Sequence, residues 1–185
     1  KAISDLIFGE YSPSGKLPVT FYRNDNHLPD FEDYSMDNRT YKFFKEKPLY
    51  PFGFGLSYTS FSYYDMQAKK VKFVPEEDVE VTVKVCNTGE READEIVECY
   101  LRDEEASVRV PIHKLCGMKR VTLKPGEETT VTFVIEGKQF TIINEEGEHL
   151  YEPGKFTLYA GGCQPDAYSE ELSGCKTAAV TIEMI

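Results

Sequence analysis

Of the side chains that could do chemistry, carboxylates dominate. The 185-residue chain carries 32 Asp and Glu against 21 Lys and Arg. Their densest groupings are the run Glu90, Glu92, Asp94, Glu95 and the cluster Asp103, Glu104, Glu105. Both fall in turn-like stretches or on the polar face of strand-like ones, where a solvated acidic surface is the expected reading. The three histidines, His27, His113 and His149, stand far apart, and none has metal-ligand spacing to another His or Cys. His113 lies near Cys116, but beside Pro111 in a stretch that reads as a surface loop rather than a Cys-His nucleophile pair. Cys86, Cys99, Cys116, Cys163 and Cys175 form no CxxC motif. They read as free thiols packed as small apolar groups. Their usage leans toward a reducing, cytoplasmic setting. No GxSxG is present, and the glycines of Gly53-Phe54-Gly55 lack the strand-to-helix context of a phosphate loop. Nothing here calls for a metal or a cofactor.

The elements that would carry these groups divide near residue 60. Residues 1–60 hold 13 of the 24 Phe and Tyr and are nearly neutral, while residues 61–185 carry almost all of the net charge of -11. That acidity excludes nucleic acid and anionic membrane as partners, because phosphate would repel the chain. No run of 18 apolar residues is present to span a bilayer. The opening residues show no basic stretch leading into an apolar one, as an export signal would. The chain begins mid-pattern and without Met, and we read it as a segment of something longer.

The second part reads as antiparallel β. Val79, Val81, Val83 and Val85 alternate with polar residues, the period of a half-buried strand. The same alternation recurs at Val97-Cys99-Leu101, Val131-Phe133-Ile135, Phe156-Leu158-Ala160 and Val180-Ile182-Met184. Shorter stretches of this kind are Val71-Phe73 and Val121-Leu123. Lys124-Pro125-Gly126-Glu127 and Glu152-Pro153-Gly154-Lys155 both suit type II turns. No sustained helical period is visible. Seven or so short strands argue a two-sheet sandwich of the immunoglobulin or fibronectin type III kind. About 125 residues bury roughly two thirds of their unfolded surface, enough to fold alone.

The first part does not look self-sufficient. Ala2, Ile3, Leu6 and Ile7 fit one face of a short helix with Gly9 as its αL cap, and Leu17 to Tyr22 reads as one strand. Beyond them lie isolated aromatics without a period. So many aromatics left in water would form a sticky patch. This segment therefore packs against further protein or wraps along the sandwich, and its orphan face invites self-association.

Specific blocks then appear in order: FGEYSPSGKLPVTF at 8–21, RTYKFFKEKPLYPFGFGLSYTSF at 39–61, VCNTG, IVECYLRD, LCGMKRVTLKPGE and TTVTFVI within 85–136, and YAGGCQPDAYSEELSG at 159–174. Together they resemble the C-terminal end of glycoside hydrolase family 3 enzymes, which are similar to β-glucosidases and β-xylosidases. The resemblance implies that residues 1–22 are the last helix and strand of an α/β-sandwich domain. Residues 23–60 would be an aromatic-rich linker, and residues 61–185 a fibronectin type III-like domain. It implies a mainly β fold overall. The family-motif positions with structural roles are Gly9, Pro13, Gly15, Leu17, Pro18, Arg39, Tyr41, Pro51, Phe52, Gly53, Gly55, Leu56, Ser57 and Tyr58. Ser12 and Met118 depart from the family's usual Asn and Phe at packing or turn positions.

By the same resemblance, retaining hydrolysis needs two carboxyls about 5–5.5 Å apart. Both belong to family domains that precede these blocks, so no catalytic, substrate-binding or metal residue is assigned here. The implied partners are the upstream catalytic domains of the same chain and, through them, a terminal β-linked glucoside or xyloside. The blocks at 28–36 and 49–59 lean to the xylosidase side. The sandwich would stabilise the catalytic domains, with the loop near 103–116 framing the cleft. Arg39, Tyr41, Phe43, Phe44, Tyr50, Phe52, Phe54 and Tyr58 either anchor the linker or stack on sugar. A carbohydrate-binding or purely structural module is the alternative. The lack of Trp speaks against the first, and the lack of internal repeats against the second.

Overall fold

The computed structural model describes residues 1–185. Two sheets face each other across one core. The smaller has strand order β1-β3-β6, with β1 Phe61–Ala68, β3 Val79–Asn87 and β6 Glu128–Ile135. The larger runs β2-β10-β9-β4-β5, from β2 Lys72–Phe73 through β10 Ala178–Met184, β9 Gly154–Gly161 and β4 Ala93–Asp103 to β5 Lys114–Leu123. A small hairpin, β7 Thr141–Ile143 with β8 His149–Tyr151, stands apart. All pairings are antiparallel except the short β2–β10 contact.

The alternating valines explain β3. Val79, Val81, Val83 and Val85 are all buried, facing Val131, Phe133 and Ile135 of β6 in the same core. Each such Val contributes about 2 kcal/mol of burial. Phe73, Phe140 and Phe156 close one end, with ring centroids 4.7 to 6.1 Å apart.

Asn87 ties the sandwich to the preceding segment. Its side chain donates to the carbonyls of Arg91 and Leu123 and accepts from Thr59 Oγ1 at 2.7 Å. Thr88 N donates to Ser60 O at 2.8 Å.

Two local expectations need correction, and two elements, β1 and a helix at 167–173, carry no sequence period. β1 has no clean alternation because a register shift falls between Tyr64 and Gln67, where Asp65 sits at φ 51°. Tyr63 and Met66, three apart, therefore both point inward. Gly126 takes φ +73° with Glu127 N bonded to Lys124 O, as a type II turn requires. Gly154 does not: it is the first residue of β9, opposite Met184, and the ladder holds its backbone extended. Residues 17–22 form no strand. Leu17 exchanges bonds with Gly53 and Phe54, and Phe21 bridges Tyr50. Pro18 lacks a donor and Gly53 turns the partner away at φ +75°, so the contact stays a clasp. Finally, Asp166 nucleates a short helix that no period announced.

Helix α1 spans Ala2–Ile7 and ends before Gly9 at φ +73°. A further turn, α2, covers Thr40–Phe43, and α3 covers Ala167–Ser173. Asp166 caps α3 by accepting from Ser169 N at 2.9 Å, and Gly174 closes it at φ +65°. No helix is long and apolar enough to cross a membrane.

Candidate functional site

The chemistry concentrates where residues 11–58 lie on the large sheet. The irregular stretch from Ser12 to Gly15 delivers Lys16 to this seam. Its Nζ donates to Glu95 Oε1 at 2.9 Å and to Gly162 O at 2.8 Å. Tyr63 OH donates to the same Glu95 oxygen at 2.7 Å. Three residues along β4, Glu98 accepts from Tyr100 OH at 2.9 Å. Glu95 and Glu98 are 3% and 1% exposed.

This overturns the reading of Glu95 as solvated surface. β4 is an interior strand of its sheet, and Glu95 shares its inward face with Val97, Cys99 and Leu101, where Tyr63 of the other sheet meets it, whereas Glu98 and Tyr100 point to the outer face. A polar outer face would be wet in an isolated sandwich. Here the 41–54 stretch covers it, and Gly53 sits so close that a Cβ would stand 2.5 Å from Glu98 Oε2. Tyr100, on the same face of β4 as Glu98, is fully buried for the same reason.

The electrostatics follow. Burial pushes the Glu98 carboxyl up to about 7, against the hydrogen bond from Tyr100 and the charge of Lys16. Burial, with the neighbouring carboxylates second, drives the Tyr63 and Tyr100 phenols far above their ordinary range. The two carboxyls point to opposite faces of β4, and neither is poised for substrate. Glu95 is held by Lys16 and Tyr63. The hollow it borders is about 200 Å³, lined also by Lys16, Tyr63, Gly162 and Cys175, and Glu98 does not reach it. The arrangement fixes two polypeptide segments together.

A second cluster adjoins the first. The Tyr41 ring stacks on Phe52 at 4.1 Å, and its hydroxyl accepts from Leu115 N at 3.0 Å. Ile112 N donates to Lys42 O at 2.8 Å. His113 meets Tyr100 edge-on at 5.4 Å, and its Nε2 lies 2.8 Å from Gln164 Oε1. The surface-loop reading of His113 is therefore corrected: the residue is 6% exposed, folded under the linker aromatics. Burial lowers its pKa, favouring the neutral ring. Cys116 turns away and donates to Cys99 O. Beside this cluster lies a hollow of about 410 Å³ lined by Tyr41, Phe44, His113, Gln164, Asp166 and Tyr168 among others.

The motif positions spread along the same seam. Gly9 follows α1, where a Cβ would stand 3.2 Å from Arg91. Pro13 is half-buried just ahead of Gly15, and Pro18 is exposed. Gly55 lies against Gly15, where a Cβ would stand 2.5 Å from its carbonyl oxygen. Leu17 clasps Gly53 and Phe54, and Pro51 is buried beneath. Ser57 Oγ lies 3.1 Å from Ser12 Oγ, and Tyr58 N donates to that same Ser12 oxygen. Tyr58 OH donates to Leu6 O at 2.7 Å. Leu56 is exposed. Arg39 donates to the carbonyls of Ser35 and Asp33, not to a carboxylate. Lys16, Glu95, Glu98, His113 and Gln164 were not singled out by the sequence as a set. The usable signal was the pair of Glu residues inside a stretch whose neighbours Val97 and Cys99 alternate. No cluster of three His, Cys, Asp or Glu is placed to hold a metal.

The fold is a two-sheet β-sandwich strapped by an aromatic N-terminal segment. Residues 1–58 match the glycosyl hydrolase family 3 C-terminal domain, and residues 95–164 match a fibronectin type III-like domain. The chain belongs to glycosyl hydrolase family 3, in the C-terminal part that carries these two matches. It is 38% identical over 172 residues to a periplasmic beta-glucosidase of Salmonella typhimurium, covering 86% of this chain and 22% of that protein. To a beta-xylosidase of Formosa agariphila it is 36% identical, covering 98% of this chain and 25% of the relative. A solved β-glucosidase from Erythrobacter marinus superposes with TM-score 0.81 at 36% identity, over 100% of this chain and 23% of that one. The chain thus spans about a quarter of the length of these relatives.

Proposed function

We propose that this chain is the non-catalytic C-terminal part of a retaining exo-β-glycosidase that releases terminal β-linked glucose or xylose. Residues 1–22 close the preceding α/β domain, residues 23–60 are the linker, and residues 61–185 are the fibronectin type III-like domain. The sandwich stabilises the catalytic domains, and the 103–116 stretch borders their cleft. The observation that carries this reading is the seam: Lys16 of the family 3 segment bonds the buried Glu95 of β4, and Gly53 of the same segment lies against the buried Glu98. In isolation, the face of residues 1–34 that the preceding domain would cover drives self-association.

The test compares this chain with the full-length protein on aryl β-glucoside and aryl β-xyloside. Hydrolysis by the longer protein and none by the chain is expected. Substantial turnover by the purified chain would overturn the reading.

A further inference from the structure

Cys163 and Cys175 lie at the open end of the β9–β10 ladder. In that ladder Ala160 stands opposite Ala178 and Tyr159 opposite Ala179. Carrying the register three residues outward sets Cys163 opposite Cys175. The two chains do continue side by side, since a Cβ on Gly161 would stand 3.2 Å from the Cα of Thr177, its register partner. Facing residues in an antiparallel pair have Cα atoms about 4.5–5.5 Å apart. A disulfide needs about 4.4–6.8 Å. The two sulfurs are already 3.2 Å apart, in the thiol form. We propose that Cys163 and Cys175 are an oxidisable pair that closes to a disulfide by exchange with a small disulfide such as oxidised glutathione, stapling the loop that carries α3.

The chemistry has an order. Cys175 is half-buried and borders the hollow shared with Lys16 and Gly162. Its thiol is lowered chiefly by the hydrogen bond with Cys163, with the Gly162 N–H and the Lys16 charge adding. The thiolate is the attacking species. Cys175 Sγ attacks one sulfur of glutathione disulfide, forming a mixed disulfide and releasing one glutathione thiolate. Cys163 is fully buried, and its proton is held first by the bond to Cys175 and then by burial. Once Cys175 is bonded to glutathione, that hold is gone. Cys163 gives its proton to the departing thiolate, attacks Cys175 Sγ and expels the second glutathione. Two protein thiols and one glutathione disulfide become one protein disulfide and two glutathione thiols, with two electrons passing to glutathione.

The other thiols have different geometry. Cys86 and Cys116 donate to the carbonyls of Asn87 and Cys99. The loop closed by the bridge runs from Gln164 through capped α3 to Gly174. Gln164 and Tyr168 wall the hollow beside His113, so the staple would fix that wall. Closing a loop of this size raises the melting temperature by about 5–10 °C in a domain of this length.

The purified chain is equilibrated in glutathione buffers from fully reduced to fully oxidised, quenched with an alkylating agent and peptide-mapped by mass spectrometry. The native chain is expected to pass from five alkylated cysteines to three in one two-electron step, with a linked Cys163–Cys175 peptide. Its melting temperature should be about 5–10 °C higher oxidised than reduced, and Cys175→Ser should show no such difference. Five free thiols throughout, a Cys99–Cys116 link, a stable glutathione adduct on Cys175, or the same shift in Cys175→Ser would overturn the proposal. The native titration reads the outcome even if the variant does not fold.

Discussion

Lys16 Nζ and Glu95 Oε1 meet at 2.9 Å across 79 residues of sequence, with side chains only 13% and 4% exposed. A pair so buried is costly to break on one side, because the survivor keeps its desolvation cost without its partner. Lys16→Met should destabilise the chain by about 3 kcal/mol in urea unfolding. The double variant Lys16→Met/Glu95→Gln should recover most of that loss. An unchanged midpoint for Lys16→Met would mean that the pair does not hold the seam.

Gly53 is the point where the linker backbone touches the sheet. Its φ is +75°, and a Cβ there would stand 2.5 Å from Glu98 Oε2 and 2.7 Å from Tyr100 OH. Gly53→Ala therefore meets both backbone strain and a clash with two buried polar groups. A loss of about 2–3 kcal/mol is expected, with amide exchange quickening in residues 41–54. Gly147, also at positive φ but in open space, is the control: Gly147→Ala meets the backbone strain without the clash and should cost about 1–2 kcal/mol.

Much of this was readable beforehand, and the failures have particular causes. The β3 valines announce their strand because one face is core and the other solvent, which is the condition alternation reports. β1 hides because its bulge at Asp65 breaks the period. Pro125-Gly126 and Pro153-Gly154 look alike as dipeptides, but only the first lies in a free turn; pairing with β10 decides the second. Glu95 and His113 read as wet because Lys16 and Tyr41, which help to bury them, lie far along the chain, and no local pattern encodes such cover. Cys163 and Cys175 become opposite residues only once the β9–β10 register is known.

Glu98 makes the seam sensitive to pH. Its carboxyl titrates near 7 when folded, against 4.5 ordinarily. Below about pH 4.5 it is protonated in both states and costs nothing. As pH rises from there to about 7, only the unfolded chain releases the proton, so stability falls; above 7 the loss is complete. The total is about 3 kcal/mol. Glu98→Gln keeps an acceptor for Tyr100 and cannot ionise. The variant should lose that part of the pH dependence, gaining on the native chain between pH 5 and pH 8. Parallel stability curves for the two proteins would show that Glu98 is not the titrating group.

The other face of the N-terminal segment carries the last expectation. Ile3, Ile7 and Phe8 are 75%, 71% and 80% exposed, and Phe31 and Tyr34 more so. Ile3 and Ile7 stand one helical turn apart on α1, so they form one patch. Nothing in the sandwich covers them, although Tyr58 OH bonds the Leu6 carbonyl and Arg91 lies beside Gly9. Apolar surface held this way associates when its natural cover is absent. Sedimentation velocity on the chain should show concentration-dependent species above 21.1 kDa. Ile3→Glu with Ile7→Lys should return it to that mass without moving the melting temperature by more than about 1–2 °C, because neither side chain is packed. If the native chain sediments as a monomer at every concentration, the patch is too small to associate. If the variant melts far lower, the α1 face is part of this chain's own packing rather than a surface for another domain.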